Sequence, residues 1–548
     1  MTVADEIKKA LSSALQSVGI SVVSKDVPLE HPGELSHGDY ATGIALAKSK
    51  EAGVNPRKLA ESLVALIGNI SGVESIKIAG PGFINFTLTP ASIGKSLDEA
   101  RETDMWGSGD THVGKKVMVE YTDPNPFKEF HIGHLMSNAI GESISRLLQF
   151  SGAEVRRACY QGDVGPHVAK AIWGKIKTPE STWGTAYTVG ATEYEEHKQE
   201  IDMINQKVYD KSDSEINKLY DEGREDSLKS FDELYSILGT KFDYFFFESI
   251  TAPRGMKIVQ AHTEIFESSD GAIVYKGESD GLHTRVFVTS KGLPTYETKE
   301  LGLAELKSET WSHDISITVT AHEQADYFKV VLAAMKKTMP DFAAKIRHIS
   351  HGMMRFAEGK MSSRTGNVVT GRDLLFGLKD VAKIRAEDSR ADDKEQLAEQ
   401  VAMAGIKYQI LKQGSGKDII FDREKALSLE GDSGPYLQYA YARTNAILAK
   451  AKESGVDAKI DESFTPNDVA RLIPRFPEIV ARAADLYEPH LVTTYLIELA
   501  AAFNSWYAQE QVLDGTLRAA HKVALVEAVG KTLKNGLWIL GIPAPAKM

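Results

Sequence analysis

Apolar residues recur at two periods along this chain, and the changes between them divide it. Ile7, Leu11 and Leu15 share one helical face. Asn55-Pro56 opens a second helix through Leu59, Leu63 and Leu66, with the proline near the first turn. Between Ser75 and Leu88 the period falls to two. Ile84 and Phe86 alternate with Asn85 and Thr87 after a Gly80-Pro81-Gly82 turn, which predicts strand, turn, strand. Residues 1–106 therefore read as a small α+β domain.

A second domain, 107–415, opens on a linker-like stretch from Gly107 to Lys116. Val117 to Tyr121 reads as a buried strand. A loop and a helix from about His131 follow, the helix with Ile132, Leu135, Ala139, Leu147 and Leu148 on its apolar face and an end at Ser151-Gly152. Strand, loop and helix in this order open a nucleotide-binding α/β fold. From about 178 to 244 the chain turns polar and rich in Lys, Glu and Asp, the pattern of an inserted helical region. Further strands are expected at Ile273 to Tyr275, Arg285 to Thr289 and Ile315 to Val319. Residues 416–548 read as a helical third domain. Val523, Val526, Leu533, Leu537 and Leu540 keep helical spacing, Gly541 caps the end and Pro543 lies beyond it.

Composition narrows the class. With 548 residues, 42% hydrophobic and 26% charged, the chain is an ordinary globular protein of several domains. The net charge of −12 excludes a basic nucleic-acid coat, so any RNA contact uses local patches. From Tyr436 to the end, 12 Lys or Arg balance 12 Asp or Glu, which makes this segment the easier place for an RNA-facing surface. Cys159 is the only cysteine, which excludes an intramolecular disulfide and a zinc site with several Cys ligands. No secretory signal and no membrane span is read, so a cytoplasmic protein without bound zinc is expected.

Two motifs carry chemistry. His131-Ile132-Gly133-His134 sits where a helix begins after a buried strand, and composition alone would produce such an H-x-G-H about 0.03 times per chain. Free N–H groups and the helix dipole favour phosphate there, and Gly133 leaves room for a nucleotide against the backbone. Far downstream, Gly359-Lys360-Met361-Ser362-Ser363-Arg364-Thr365-Gly366-Asn367 is a glycine-flanked run of cations and hydroxyls suited to a pyrophosphate.

This pair, in this order, resembles the signature of the class I aminoacyl-tRNA synthetases, and the surrounding residues narrow the resemblance to arginyl-tRNA synthetase. Asp123-Pro124-Asn125 resembles that family's Ser-Pro-Asn. Gly38-Asp39-Tyr40-Ala41-Thr42 and Ala79-Gly80-Pro81-Gly82-Phe83-Ile84-Asn85 resemble its N-terminal domain. Gly434 to Tyr439, Ala501-Ala502-Phe503-Asn504 and Leu540 to Pro545 resemble its C-terminal domain. The resemblance implies a Rossmann-like class I catalytic domain with a helical insertion, a small α+β N-terminal domain that binds tRNA and an all-α anticodon-binding domain.

It also implies a reaction and a set of roles. Arginine and ATP give arginyl-adenylate, and the arginyl group then moves to the 3′ end of tRNA(Arg). His131, His134 and Lys360 would be the catalytic groups. His131, Gly133, His134, Lys360, Met361 and Ser362 would hold ATP, with Mg2+ arriving on the nucleotide and no metal ligands of the protein's own. Glu120, Asn125, Tyr296, Glu300 and Gln324 would bind arginine. A guanidinium prefers a carboxylate fork and an aromatic face, which Glu120, Glu300 and Tyr296 would supply. Two departures stand out. Glu300 occupies the place of an Asp in the family's Y-x-T-x-D, and the second signature reads Lys-Met-Ser-Ser-Arg, with Arg364 as its second cation. A monomer is expected, together with activation of arginine that waits for tRNA.

The rival readings are another synthetase, a small-molecule adenylyltransferase with the same H-x-G-H, and a catalytically silent RNA-binding protein on a synthetase fold. One stripe of cations is open to two readings. Arg471, Arg475 and Arg482 would align on a single helix as an RNA face or as a solvated surface, and Pro474 and Pro477 argue against one unbroken helix.

Overall fold

The computed structural model describes residues 2–357 and 370–548. They divide into two compact units: Met1–Gly107 with Ala440–Ile479 and Tyr495–Asn535, and Ser108–Tyr439 with Val480–Thr494 and Gly536–Met548.

In the first unit, an antiparallel sheet sets Phe83–Leu88 between Tyr40–Thr42 and Val73–Ala79. Helix Val3–Ser17 buries Ile7, Leu11 and Leu15. Helix Pro56–Ile67 begins as its sequence asks, with the Asn55 side chain accepting from Arg57 N–H. Leu59 and Leu63 are buried, while Leu66, in the last turn, is exposed. Gly82 turns at φ 140°, and a Cβ there would lie 2.9 Å from the Pro56 carbonyl, so the turn needs glycine. Inside this unit the Tyr40 hydroxyl donates to Glu478 (2.6 Å) and Arg471 Nε to Asp39 (2.8 Å). Arg471 is thereby turned inward and Arg475 is buried, while Arg482 is exposed. The three arginines fall on no single helix, because the chain breaks into Asp468–Leu472, Ile473–Arg475 and Phe476–Leu486 around the two prolines.

The second unit is built on five parallel strands: β1 (Lys116–Glu120), β2 (Glu154–Gln161), β3 (Tyr244–Phe247), β4 (Ile315–Ala321) and β5 (Ile346–His351). They lie in the order β5-β4-β1-β2-β3. Val117, Met118 and Val119 of β1 are fully buried, as a central parallel strand covered on both faces requires. Three of these strands escape the sequence pattern. Within β2, Arg156 and Arg157 interrupt the apolar run, yet each is neutralised: Arg157 by Glu142 (3.0 Å) and Arg156 by Asp243 (3.1 Å). Strands β3 and β5 lie at the sheet's edges and carry aromatic or polar residues.

Helix α1 (Ile132–Phe150) follows β1 and crosses to β2. The polar stretch forms three helices, Trp183–Thr192, Lys198–Asp210 and Ser214–Leu238. Helices α2 (Glu248–Ala261), α3 (Tyr296–Thr310) and α4 (Ala325–Thr338) follow. Between them, Phe266–Ser269, Ala272–Tyr275 and Arg285–Val288 pair as a small antiparallel sheet. The C-terminal region is helical, from Gly434–Glu453 to Ala519–Ile539, and Gly541 takes the left-handed cap at φ 65°. The closing residues pack into this unit: Gln438 donates to Pro543 O (2.8 Å), Ser143 to Ile539 O (3.0 Å) and the buried Lys407 to Gly541 O (2.8 Å). The fold is mixed α/β, with a helical insertion in a doubly wound core and helices at the C-terminal end.

Candidate active site

The strand order reverses between β1 and β4, and there the sheet opens a cleft at its C-terminal edge. Ligands of open α/β sheets bind at this switch point. Glu120, Asn125, His131, Gly133, His134, Tyr296, Glu300 and Gln324 all line this one cleft. Lys360, Met361 and Ser362 lie outside the described residues. The chain re-enters at Thr370, whose backbone pairs with His131, and Gly371 N–H donates to Phe130 O (2.7 Å).

The loop after β1 is strained. Thr122, Asp123 and Phe127 have φ of 79°, 48° and 70°, which cost non-glycine residues about 1–3 kcal/mol each. The surroundings fix it. Thr122 N–H donates to Ser137 Oγ (3.0 Å), which in turn donates to Val319 O (2.8 Å). Asn138 donates to Thr122 Oγ1 (3.0 Å), and Asp123 accepts from Tyr160 N–H (2.7 Å). At the loop's far end Phe127 N–H donates to Ser227 Oγ (2.9 Å) on the inserted helices.

His131 caps α1, and its ring stacks on His134 with centroids 3.5 Å apart. His134 Nδ1 accepts from the His131 N–H (3.1 Å), which leaves Nε2–H as the donor of the neutral ring. Burial, with Lys128 and His351 nearby, pushes His131 down to about 4; burial and His131 push His134 well below its usual value. Both rings are therefore neutral at physiological pH. Gly133 admits this stack, since a Cβ there would lie 3.0 Å from the His131 ring.

At the other end, Glu120 closes β1 and is buried against Lys307, with Nζ 2.6 Å from its carboxylate. Glu300 stands on α3, seven residues before Lys307, half-buried and near the Tyr327 phenol. Burial and the charge of Glu120 push Glu300 up to about 8. Tyr296, the first residue of α3, is 55% exposed, with its ring over Lys299 at 5.2 Å. Lys299 is itself buried in a 2.6 Å pair with Glu248. Asn125 occupies the space a side chain at position 162 would fill: a Cβ on Gly162 would collide with its Oδ1. Gln324 lies exposed at the rim, just before α4.

Sequence reasoning passed over Lys128, Glu248, Tyr327 and His351, which line the cleft, and Lys307 and Lys299, which pair with its acids Glu120 and Glu248. A signal existed for Lys307, because Tyr296, Glu300 and Lys307 repeat at helical spacing. For Glu248 and His351, which meet the cleft from remote elements, and for Lys299, paired with Glu248, no local pattern points to them. The arrangement offers helix-start N–H groups and neutral imidazoles at one end. At the other it offers a carboxylate pair with an aromatic face.

Three family models match the chain: an arginyl tRNA synthetase N-terminal domain over residues 4–88, a class I (R) tRNA synthetase catalytic domain over 102–423 and a DALR anticodon binding domain over 437–548. The arginine–tRNA ligase of Clostridium perfringens is 31% identical, over 100% of this chain and 99% of that protein. That of Lactobacillus delbrueckii subsp. bulgaricus is 32% identical, over 99% and 100%. Among solved structures, Thermus thermophilus arginyl-tRNA synthetase superposes with a TM-score of 0.82 at 25% identity, over 99% of each chain. The Plasmodium falciparum enzyme superposes at 0.79 and 23%, over 100% of each, a likeness of fold.

Proposed function

Since the chain belongs to the arginyl-tRNA synthetase family of class I, we propose that this cleft carries out that family's reaction with the residues described above. The enzyme activates L-arginine with ATP to arginyl-adenylate and transfers the arginyl group to the 3′ end of tRNA(Arg). In the first step the arginine carboxylate attacks the α-phosphorus of ATP and pyrophosphate leaves. Charge on the phosphate oxygens is the main barrier, so fixed donors are the main remedy.

The observation that carries the assignment of roles is the shared cleft: the phosphate-facing start of α1 and the Glu120–Glu300–Tyr296 group open into one space. His134 Nε2–H and the N–H groups at the start of α1 stabilise the phosphates, and Lys360 adds its charge to them. Lys128, half-buried in the same cleft, supplies a further cation. Glu120 and Glu300 receive the guanidinium, Tyr296 covers its face, and Asn125 and Gln324 bind the amino-acid end. Magnesium enters as part of the ATP substrate.

The helical C-terminal segment binds the anticodon end of the RNA, and residues 1–106 bind elsewhere on it. One chain supplies every residue named, so a monomer suffices, and the lone thiol Cys159 fits the reducing cytoplasm. Among the described residues no helix is long and apolar enough to cross a membrane. Arginine-dependent exchange of pyrophosphate into ATP, with tRNA present, tests the assignment. Exchange lost on replacing Glu300 or His134 supports the roles, and exchange unaltered by both replacements rejects them.

A further inference from the structure

The arginine end of the cleft carries more acid than the protein neutralises. Glu120 comes from β1, Asp123 from the loop beyond it and Glu300 from α3, and all three line the cleft. Lys307 of α3 pairs with Glu120 at 2.6 Å. The other cation of α3, Lys299, is held by Glu248 of α2 at 2.6 Å. The remaining titratable groups facing Glu300 are phenols: Tyr327 of α4, and Tyr160 of β2, whose hydroxyl lies 2.8 Å from Thr251 Oγ1. Among the described residues no cation pairs with Glu300. Acids crowded into a site poor in water do not all ionise, and burial with the charge of Glu120 pushes the two without a cation, Asp123 and Glu300, toward the protonated form; of these, Asp123 accepts from the Tyr160 amide and Glu300 stands at the guanidinium site.

We propose that the empty pocket stores a proton on Glu300, that Lys307 is the positioning residue that assigns it there by holding Glu120 ionised, and that the arriving guanidinium displaces it. Arginine binding and proton release are then one event. The Glu300 O–H bond breaks, its electron pair stays on the carboxylate, and the proton leaves to solvent through the open cleft. A guanidinium N–H then donates where the acid proton was. The upward push on Glu300, to about 8, agrees with this assignment. The inference rests on the reading of Glu120 and Glu300 as the guanidinium site, and it adds a basis for selectivity. Ionising Glu300 in this setting requires a full positive charge at the fork, so an uncharged ligand of the same shape, such as citrulline, leaves the proton in place.

The consequence for pH has a definite sign. The free pocket is protonated below about pH 8 and the occupied pocket is not, so affinity for arginine rises with pH up to that value and levels off above it. With one proton released, the dissociation constant falls roughly tenfold per pH unit on the rising part.

Titration calorimetry of the full-length protein with arginine at pH 7, in buffers of different ionisation enthalpy, counts the protons. The wild-type enzyme is expected to release close to one proton per arginine, and less than half of one above pH 8. This count needs no variant to fold. Glu300→Gln should abolish both the release and the pH slope while weakening arginine. Lys307→Met should keep the release but move the levelling of affinity upward by about one pH unit, since loss of a nearby ammonium raises both acids. Lys307→Arg should restore the wild-type profile. A purely structural Lys307 would weaken binding without moving that profile. Arginine binding with no proton release at pH 7, but weakened by Glu300→Gln, overturns the stored proton and leaves the pocket reading standing. Arginine affinity untouched by Glu300→Gln overturns both.

Discussion

Lys307 Nζ lies 2.6 Å from the Glu120 carboxylate, and both side chains are buried. Removing one partner of such a pair leaves an uncompensated buried charge, at a cost of about 3–5 kcal/mol. Lys307→Met is therefore expected to lower the thermal midpoint clearly and to raise KM for arginine. The double variant with Glu120→Gln should regain much of the stability but none of the arginine affinity. Differential scanning calorimetry beside arginine kinetics checks this. A double variant as unstable as the single one would mean that the pair is not a unit.

Gly162→Ala is the mildest change that should reach the substrate. Its Cβ would collide with Asn125 Oδ1 and force that amide out of the cleft. Loss of one charge-assisted hydrogen bond, ~1.5–3 kcal/mol, is roughly 10- to 150-fold in KM for arginine, with KM for ATP nearly unchanged. Initial-rate kinetics in both substrates decide the matter, and an unchanged KM for arginine would place Asn125 outside the pocket.

His134→Ala should lower kcat by about 10²–10³, the usual loss for one positioned donor, with little effect on arginine binding. Because burial holds His131 down near 4 and His134 well below its usual range, both stay neutral through the physiological range. The profile of kcat/KM for ATP at saturating arginine should accordingly show no ionisation between pH 5 and 7 from these rings. An inflection near 6.5 that vanishes in His134→Ala would contradict the neutral assignment.

How far the sequence was legible depended on where each partner lies. The motif at His131 was readable because its parts are adjacent, and Glu120 because it ends a strand of apolar residues. Strand β2 was hidden by Arg156 and Arg157, whose neutralising partners, Asp243 and Glu142, stand on other elements. The same reason hid Lys299, whose role depends on Glu248 about fifty residues earlier. Compactness also departs from chain order. Gln438, Lys407 and Ser143 all bind the final residues of the chain within the catalytic unit. Removing the chain from Tyr436 onward would strip these bonds as well as the anticodon helices, so point replacements are the sharper tool for RNA contacts.

Arg471 supplies such a replacement. Its Nε donates to the buried Asp39 at 2.8 Å, so Arg471→Ala should destabilise the protein by ~1–3 kcal/mol, the cost of a buried acceptor left short of a partner. The salt dependence of tRNA binding should be unchanged, because no phosphate contact is lost. A salt slope reduced by about one, with stability intact, would restore Arg471 to the RNA face.

The most direct measurement offers each of the twenty amino acids in turn, with ATP and unfractionated tRNA, and asks which becomes esterified to RNA. The account predicts that arginine alone is charged, onto the tRNA(Arg) fraction, and that arginine-dependent pyrophosphate exchange appears only when that tRNA is present. Efficient charging of lysine, glutamate or cysteine with arginine inert would contradict it.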